Sequence, residues 1–165
     1  MKCLAGTLLL VVLLAGGARG QGGGFREVRA EARIELARAL EAHVEWCTAK
    51  SMFQARERAL QLLLELEPDH AEARKLLGFT REKDGPWKPP AKPRPPKDFD
   101  KKLVGEAETR LAAAHGPYVE RLVAELEGGL AGEERALAVA DVLKFEPDNE
   151  KVHALLGEVH DGERW

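Results

Sequence analysis

Two residues in the first predicted helix have types and a spacing that could support thiol chemistry. His43 and Cys47 lie four residues apart, and residues four apart on a helix have neighbouring side chains. An imidazolium beside a thiol can lower the pKa of the thiol toward a reactive thiolate. Both residues also fall on the apolar stripe of the helix, where a buried cysteine and a core histidine are the commoner arrangement. A thiol-dependent enzyme or redox protein that uses Cys47 with His43 is therefore the alternative hypothesis.

The other histidines and cysteines form no pattern that is typical of a metal site. The five histidines include no His-x-x-x-His pair, and Cys3 and Cys47 are too far apart for a Cys-x-x-Cys motif. His153 and His160 would share a helix face, but a seven-residue spacing separates them by about 10 Å. The sequence also has no glycine-rich phosphate loop and no Gly-x-Ser-x-Gly turn. We predict no metal site and no cofactor.

The N-terminal residues have the pattern of a secretory signal peptide, which would cover residues 1–20. Lys2 precedes an apolar run from Leu4 to Leu14, and Ala18-Arg19-Gly20 supplies small residues before Gln21. The apolar run is too short to span a bilayer comfortably, so we expect no stable membrane insertion after cleavage. The sequence therefore predicts export to the periplasm or the cell exterior.

Cleavage would change both the charge and the cysteine content of the chain. Loss of Lys2 and Arg19 leaves 23 basic against 28 acidic side chains, a net charge of −5. An acidic chain of this kind is not typical of a nucleic-acid binder. Cys3 would also be removed, which leaves Cys47 without an intramolecular disulfide partner.

Composition predicts an all-α protein. The chain is 44% hydrophobic but only 5% aromatic, and it is rich in the Ala, Leu, Glu and Arg residues that favour helices over strands. The first predicted helix covers residues 25–48, where apolar residues recur at steps of three and four. These residues are Phe25, Val28, Ala32, Leu36, Leu40, Val44 and Cys47.

Two further helices and a proline-rich linker are predicted next. Ser51 is the expected N-cap of the second helix, which Pro68 ends, and Asp69 is the expected N-cap of the third. Asp84-Gly85-Pro86 would stop the third helix. Six of the nine prolines then lie between Pro86 and Pro96, a density that favours an extended, stiff spacer.

The second half of the chain predicts the same plan of helices. We expect a helix at Leu103–Ala114, a break at His115-Gly116-Pro117 and a resumed helix at Tyr118–Glu127. Helices at Gly132–Phe145 and Asp148–His160 would follow. The predicted organisation is a first helical unit at 25–87, a linker at 88–100 and a second unit at 101–165. Because each unit is small, we expect mutual packing or dimerisation.

A short text occurs twice, as EPDHAEARKLLG from Glu67 and as EPDNEKVHALLG from Glu146. The match indicates an internal duplication of a helix–turn–helix corner, in which the Pro-Asp pair stops one helix and caps the next. The leucine pair would pack between the helices, the glycine would allow close backbone approach, and a tryptophan would close each unit. The residues concerned are Pro68, Asp69, Leu76, Leu77, Gly78 and Trp87 in the first copy and Pro147, Asp148, Leu155, Leu156, Gly157 and Trp165 in the second.

The segment Ala59–Gly78 resembles the tetratricopeptide-like helical repeats. The resemblance rests on Ala59, Leu63, Leu66, Pro68, Ala73, Leu77, Gly78 and Phe79, and Ala138–Gly157 keeps Ala138, Pro147, Leu156 and Gly157. The spacing between the two copies is more than twice the repeat length of a standard array, which is a departure from the family. The resemblance implies a non-enzymatic interaction module or scaffold for an unknown protein partner, with self-association as a further possibility. An N-terminal module of a longer exported protein is another alternative.

Overall fold

The computed structural model describes residues 24–83, 85–90 and 101–160. Within them the fold is all-α apart from one short hairpin, which confirms the predicted fold class. The elements are α1 (Phe25–Ala49), α2 (Phe53–Leu66), α3 (Ala71–Leu76), β1 (Thr80–Arg81), β2 (Trp87–Lys88), α4 (Lys101–Glu127), α5 (Gly132–Phe145) and α6 (Glu150–Leu156). The predicted signal peptide, residues 91–100 of the predicted linker and Trp165 lie outside the described residues.

Helix α1 presents the apolar stripe that its sequence predicts. Its buried residues include Phe25, Ala32, Leu36, Leu40, Val44 and Cys47. This stripe packs against both α2 and α4. Since burying one leucine contributes about 1.5–3 kcal/mol relative to leaving it exposed, the stripe fixes the rotation of α1 about its axis.

Helix α4 is continuous, so the predicted break at His115-Gly116-Pro117 is wrong. Pro117 lies inside the helix, where a missing amide donor and ring clash cost about 3 kcal/mol. The buried residues on the two sides of the proline nevertheless form one stripe with steps of three and four: Ala107, Leu111, His115, Tyr118, Leu122 and Leu126. Burial of this uninterrupted stripe offsets the local cost and keeps the helix whole.

One hydrophobic core is shared by the described parts of both predicted units. It includes Leu40 of α1, Leu63 of α2, Leu122 of α4 and Val142 of α5. Helices α1 and α4 pack against each other, with α2 on α1 and α5 on α4. The two halves of the chain are therefore in direct contact through their longest helices.

Both short helices are capped one residue later than the sequence predicted. His70 caps α3 and Asn149 caps α6, each accepting a hydrogen bond of 3.1 Å from the backbone N–H three residues on. The caps predicted at Asp69 and Asp148 are therefore wrong. His70 and Asn149 have the non-helical backbone conformation that a cap requires, with φ and ψ near −61° and 99° and near −66° and 102°.

The cap predicted at Ser51 is also wrong. The N-cap of α2 is Met52, which makes no side-chain capping bond. Ser51 has a φ of 57° and donates its backbone N–H to Thr48 O at 3.2 Å. The connection between α1 and α2 is therefore a tight turn in which a left-handed residue reverses the chain.

We call residues 67–79 the first corner and residues 146–158 the second corner. The same backbone hydrogen bonds close both corners at equivalent positions of the two copies. In the first corner, Phe79 N–H bonds Arg74 O at 2.9 Å, and in the second Glu158 N–H bonds His153 O at 3.0 Å. The pairs Gly78 to Lys75, Gly157 to Ala154, Glu67 to Leu63 and Glu146 to Val142 match in the same way.

The repeated glycines serve backbone conformation. Gly78 and Gly157 have φ of 85° and 76°, the left-handed region in which glycine avoids the steric cost of a side chain. A Cβ atom at Gly157 would meet nothing within 4 Å, and one at Gly78 would be 3.5 Å from Pro90 Cβ. The predicted role in close backbone approach is therefore wrong for both glycines.

An unpredicted hairpin follows the first corner. Strands β1 and β2 pair antiparallel, with Thr80 opposite Lys88 and Arg81 opposite Trp87. Helix α3 has already ended before the hairpin begins, at the left-handed Gly78, so Asp84-Gly85-Pro86 is not its stop. Helix α3 is consequently short, with six residues.

Candidate functional site

The structure brings together the two side chains that the sequence singled out. His43 Nε2 and Cys47 Sγ are 3.4 Å apart in a hydrogen bond on α1. Cys47 is fully buried and His43 is 5% exposed. Cys47 belongs to a small apolar cluster with Met52 and Ala107, separate from the main core. The i, i+4 spacing therefore predicted the proximity correctly.

The environment of the pair keeps the thiol protonated. Burial raises the pKa of Cys47 to about 11, partly opposed by the charge of Arg56. Burial and the nearby charge of Arg110 lower the pKa of His43 below its ordinary value. A neutral imidazole beside a neutral thiol lacks the charge that stabilises a thiolate nucleophile, because burial disfavours both charged forms.

His43 also lies between an aromatic neighbour and a cleft. Its ring stacks on Trp46 with the centroids 6.1 Å apart, and the guanidinium of Arg110 lies 4.7 Å above the Trp46 ring. The cleft has a volume of about 220 Å³ and is lined by residues of α2 and α4 as well as by His43. His43 Nδ1 is buried and has no hydrogen-bond partner. This unsatisfied nitrogen is the most unusual feature of the region, because buried polar atoms are nearly always paired.

Three other described histidines, His70, His115 and His153, lie away from this pair and make different contacts. His70 Nδ1 caps α3 while its Nε2 bonds Glu41 at 3.0 Å. His115 is buried in α4, 5.2 Å from the Phe145 ring, and burial lowers its pKa. His153 bonds the Pro147 carbonyl through Nε2. Among residues 24–83, 85–90 and 101–160, no three His, Cys, Asp or Glu side chains are grouped so that they could hold a metal ion.

A polar cluster between the two halves was missed by sequence reasoning. Asp141 Oδ2 accepts hydrogen bonds from Arg29 Nε at 2.7 Å and from the Tyr118 hydroxyl at 2.5 Å. The three residues come from α5, α1 and α4 and are separated by up to 112 positions. Burial and the Asp141 carboxylate raise the pKa of Tyr118. No local pattern predicts such a contact, because it exists only once the helices have packed.

The repeated leucines are placed differently in the two corners. Leu77 packs against the core while Leu76 is 39% exposed, whereas Leu155 packs against the core while Leu156 is 40% exposed. The prediction that both leucines of each pair pack between helices is therefore only half correct. Each corner exposes one leucine to solvent: the first leucine of the pair in the first corner and the second leucine of the pair in the second corner.

Trp87 lies on the hairpin surface and is absent from both apolar clusters. The guanidinium groups of Arg74 and Arg81 lie 5.7 and 5.6 Å from its ring centroid. These distances are in the range of cation–π contacts. The predicted role of Trp87 in closing a core is therefore wrong, because the ring is covered by arginines of the first corner and the hairpin.

Comparison with known proteins gives no family for this chain: no family model matches it, and neither the curated proteins nor the solved structures include a significant match. The resemblance to tetratricopeptide-like repeats thus stays a prediction from the residues. In the part of the chain that the structure describes, no helix combines the length and apolar character needed to cross a membrane.

Proposed function

We propose that the protein is an exported, non-enzymatic interaction module or scaffold that binds another protein. In this proposal, an internal duplication produced two tetratricopeptide-like three-helix units, joined by the proline-rich linker. The observation that carries it is the corner made twice with the same backbone hydrogen bonds. The corner is repeated in the second half of the chain, but the His43–Cys47 pair is not. This difference favours a function in protein binding over a function in catalysis.

The exposed leucines are the proposed contact points. Leu76 and Leu156 are about equally exposed, at 39% and 40%, although they come from non-equivalent positions of the repeat. Exposed leucines at the ends of two short helices offer apolar anchors that a partner protein could cover. The signal-peptide pattern of residues 1–20 supports export, and the following experiment identifies the partner.

The proposal is tested by site-specific photo-crosslinking in cells that make the full chain. A photo-reactive phenylalanine analogue at position 76 or 156 is expected to give a discrete crosslinked product with one partner. Ile34 supplies the matched control, because it is an apolar residue of α1 with 52% exposure and lies outside both corners. The same analogue at position 34 is expected to give no such product.

The mass of the crosslinked product separates the versions of the proposal. A product with a different protein supports a scaffold, and a product of twice the chain mass supports self-association. Equal products from positions 34, 76 and 156 would contradict a corner-directed function. No product from any position, in chains that are folded and secreted, would contradict an interaction function as such.

The thiol alternative has a test of its own. Because burial raises the pKa of Cys47 to about 11, we expect the native thiol to react with a thiol reagent more slowly than the chain unfolded in denaturant. The unfolded chain is the matched control for intrinsic thiol reactivity. Faster reaction in the native protein would favour an enzyme or redox protein that uses Cys47 with His43.

A further inference from the structure

A cavity lies between the first corner and the hairpin that follows it. Its volume is about 600 Å³, which is within the range of known binding sites. We call it the corner–hairpin pocket, and its walls are formed by Asp69, Arg74, Arg81, Gly85, Pro86 and Trp87. None of these residues is buried. Because the walls are open to solvent, the pocket suits a side chain of a larger partner better than an enclosed small molecule.

Arg74 is held in the wall of this pocket by its own chain. Its Nε donates to Pro68 O at 2.7 Å, and its guanidinium lies 5.5 Å from the Phe79 ring centroid and 5.7 Å from that of Trp87. One hydrogen bond and two cation–π contacts therefore fix the place of the guanidinium. A side chain that is already positioned loses little conformational entropy when it binds a partner.

The terminal nitrogens of Arg74 face no partner from the chain. In the part of the chain that the structure describes, Nη1 and Nη2 make no hydrogen bond, and Arg74 enters no ion pair within 4 Å. Neither atom is among the buried nitrogens that lack a partner, so both retain accessible surface. The two N–H groups of such a fork match the two oxygens of a carboxylate.

The second corner indicates which group a donor at this position binds. His153 occupies the position equivalent to Arg74 and bonds the equivalent prolyl carbonyl at 2.7 Å. The other ring nitrogen of His153 lies 2.5 Å from the carboxylate of Glu158. The residue equivalent to Glu158 in the first corner is Phe79. The second corner therefore supplies a carboxylate from its own chain, whereas the first corner has an aromatic ring at that position.

The other charged residues of the pocket act in opposite directions. Arg81 is exposed, and its guanidinium lies 5.6 Å from the Trp87 ring centroid, so a second positive charge lies near the ring that Arg74 contacts. Asp69 is exposed as well. It would repel a bound carboxylate, although solvent screens the repulsion between exposed charges. The lining thus has two positive charges against one negative charge, which favours an anion.

We propose that the corner–hairpin pocket binds an acidic side chain, glutamate or aspartate, of the partner protein, with the carboxylate on the Nη atoms of Arg74. The inference rests on the interaction function proposed above and names the chemistry of the partner at the first corner. An exposed ion pair changes affinity by about fivefold or less, so the carboxylate must belong to a partner that makes further contacts. Leu76 is a proposed contact point on the same helix, α3, whose six residues span only about 9 Å.

The first test measures carboxylate binding directly. The isotope-labelled full chain is titrated with N-acetylglutamate α-amide at constant ionic strength, and the arginine Nε–Hε resonances are followed by NMR. The Arg74 resonance should shift, and N-acetylglutamine α-amide, which lacks the charge, should shift it about fivefold less. Arg38 is the matched control, because it is exposed and lies outside the pocket. Equal shifts at Arg74 and Arg38, or equal effects of the two probes on Arg74, would overturn the proposal.

Phe79→Glu copies the second corner into the first. A glutamate at position 79 is equivalent to Glu158 and would supply Arg74 with a carboxylate from its own chain. We therefore expect Phe79→Glu to abolish the response of Arg74 to N-acetylglutamate α-amide, while Phe79→Gln, the matched uncharged control, keeps it. Phe79 belongs to neither apolar cluster, so both variants should stay folded. The same response in both variants would show that the probe binds elsewhere.

The second test uses the crosslinking experiment at position 76 and separates this inference from the proposed function. Arg74→Gln and Phe79→Glu should each lower the yield of the crosslinked product about fivefold, and Arg38→Gln should leave it unchanged. An undiminished product in both pocket variants would overturn the acidic contact and leave the interaction function standing. No product in the wild-type chain would contradict the interaction function itself and, with it, a protein source of the carboxylate.

Discussion

The first and second corners have the same pattern of backbone hydrogen bonds, but a different side chain bonds the prolyl carbonyl in each. In the first, Arg74 Nε donates to Pro68 O at 2.7 Å, and at the equivalent position of the second, His153 Nε2 lies 2.7 Å from Pro147 O. Arginine and histidine therefore fill equivalent places and bond the equivalent prolyl carbonyl. The difference shows that more than one residue type can supply the side-chain donor to this carbonyl within the same backbone turn.

The surroundings of these two donors differ as well. Arg74 extends over the rings of Phe79 and Trp87. The side chain of His153 is 8% exposed and its Nδ1 lies 2.5 Å from Glu158. The Pro147 carbonyl and then Glu158 raise the pKa of His153. The second corner therefore depends on a titratable group where the first depends on arginine.

The largest expected difference concerns the buried residue of each short helix. Ala73 and Val152 occupy equivalent positions and are both 0% exposed. We expect Val152→Ala to lower the free energy of unfolding by about 2 kcal/mol through a cavity. Ala73→Val should lower it by about 2 kcal/mol through overpacking. Urea unfolding monitored by circular dichroism measures both changes.

The control for the packing prediction is Ala154→Val on the exposed face of α6. Its effect should stay within about 0.5 kcal/mol. If Ala73→Val lowers the free energy of unfolding no more than Ala154→Val does, the space around residue 73 can hold a valine as well as the space around residue 152. That result would contradict the predicted difference in packing between the two corners.

A smaller effect is expected from the caps, and it should be similar in the two corners. His70→Ala and Asn149→Ala should each lower the free energy of unfolding by about 1 kcal/mol, because each removes the acceptor for a helix N–H. Asp69→Ala and Asp148→Ala serve as matched controls, since neither aspartate caps its helix. A larger loss of stability in Asp69→Ala and Asp148→Ala than in His70→Ala and Asn149→Ala would instead indicate that the aspartates cap the helices, as the sequence predicted.

The smallest effect is a dependence on pH that only the second corner should show. His153 has a raised pKa, so its stabilisation is complete below the ordinary value of 6.5 and is lost as pH rises through the folded-state pKa. The stability advantage of the wild type over His153→Gln should therefore shrink between about pH 5 and pH 9. Thermal unfolding across this range measures the difference.

The same measurement on Arg74→Gln provides the comparison. Its difference from wild type should be independent of pH, because arginine stays protonated throughout. His43 and His115 have lowered pKa values and act in the opposite direction, with stability lost as pH falls below 6.5. Since both variants keep these two histidines, their contribution cancels. A pH-independent difference at His153 would contradict its role as a protonated donor.

Much of the local structure was readable from residue patterns. The stripe from Phe25 to Cys47 predicted α1, and Gly132–Phe145 predicted α5 at its observed bounds. These predictions succeeded because helical periodicity and burial agree. The caps were misplaced by one residue because His70 and Asn149 also supply side-chain acceptors, and only the backbone conformation of the turn selects among neighbours.

The candidate site was predictable in part. The neighbourhood of His43 and Cys47 follows from a four-residue spacing within one helix. The cleft beside them does not, because its walls come from α2 and α4 and depend on how those helices pack. The pKa shifts of both residues follow from burial, which a local pattern indicates only through the apolar stripe.

The sequence by itself determined the all-α class, the bounds of α1 and α5 to within one residue, and the twofold occurrence of the corner, because these depend on residues close in the chain. Only the tertiary structure decided that α4 continues through Pro117, since burial of a stripe on both sides outweighs one missing hydrogen bond. It also decided that Asp141 joins α1, α4 and α5. Contacts over a hundred positions arise when helices pack, and no local spacing encodes them.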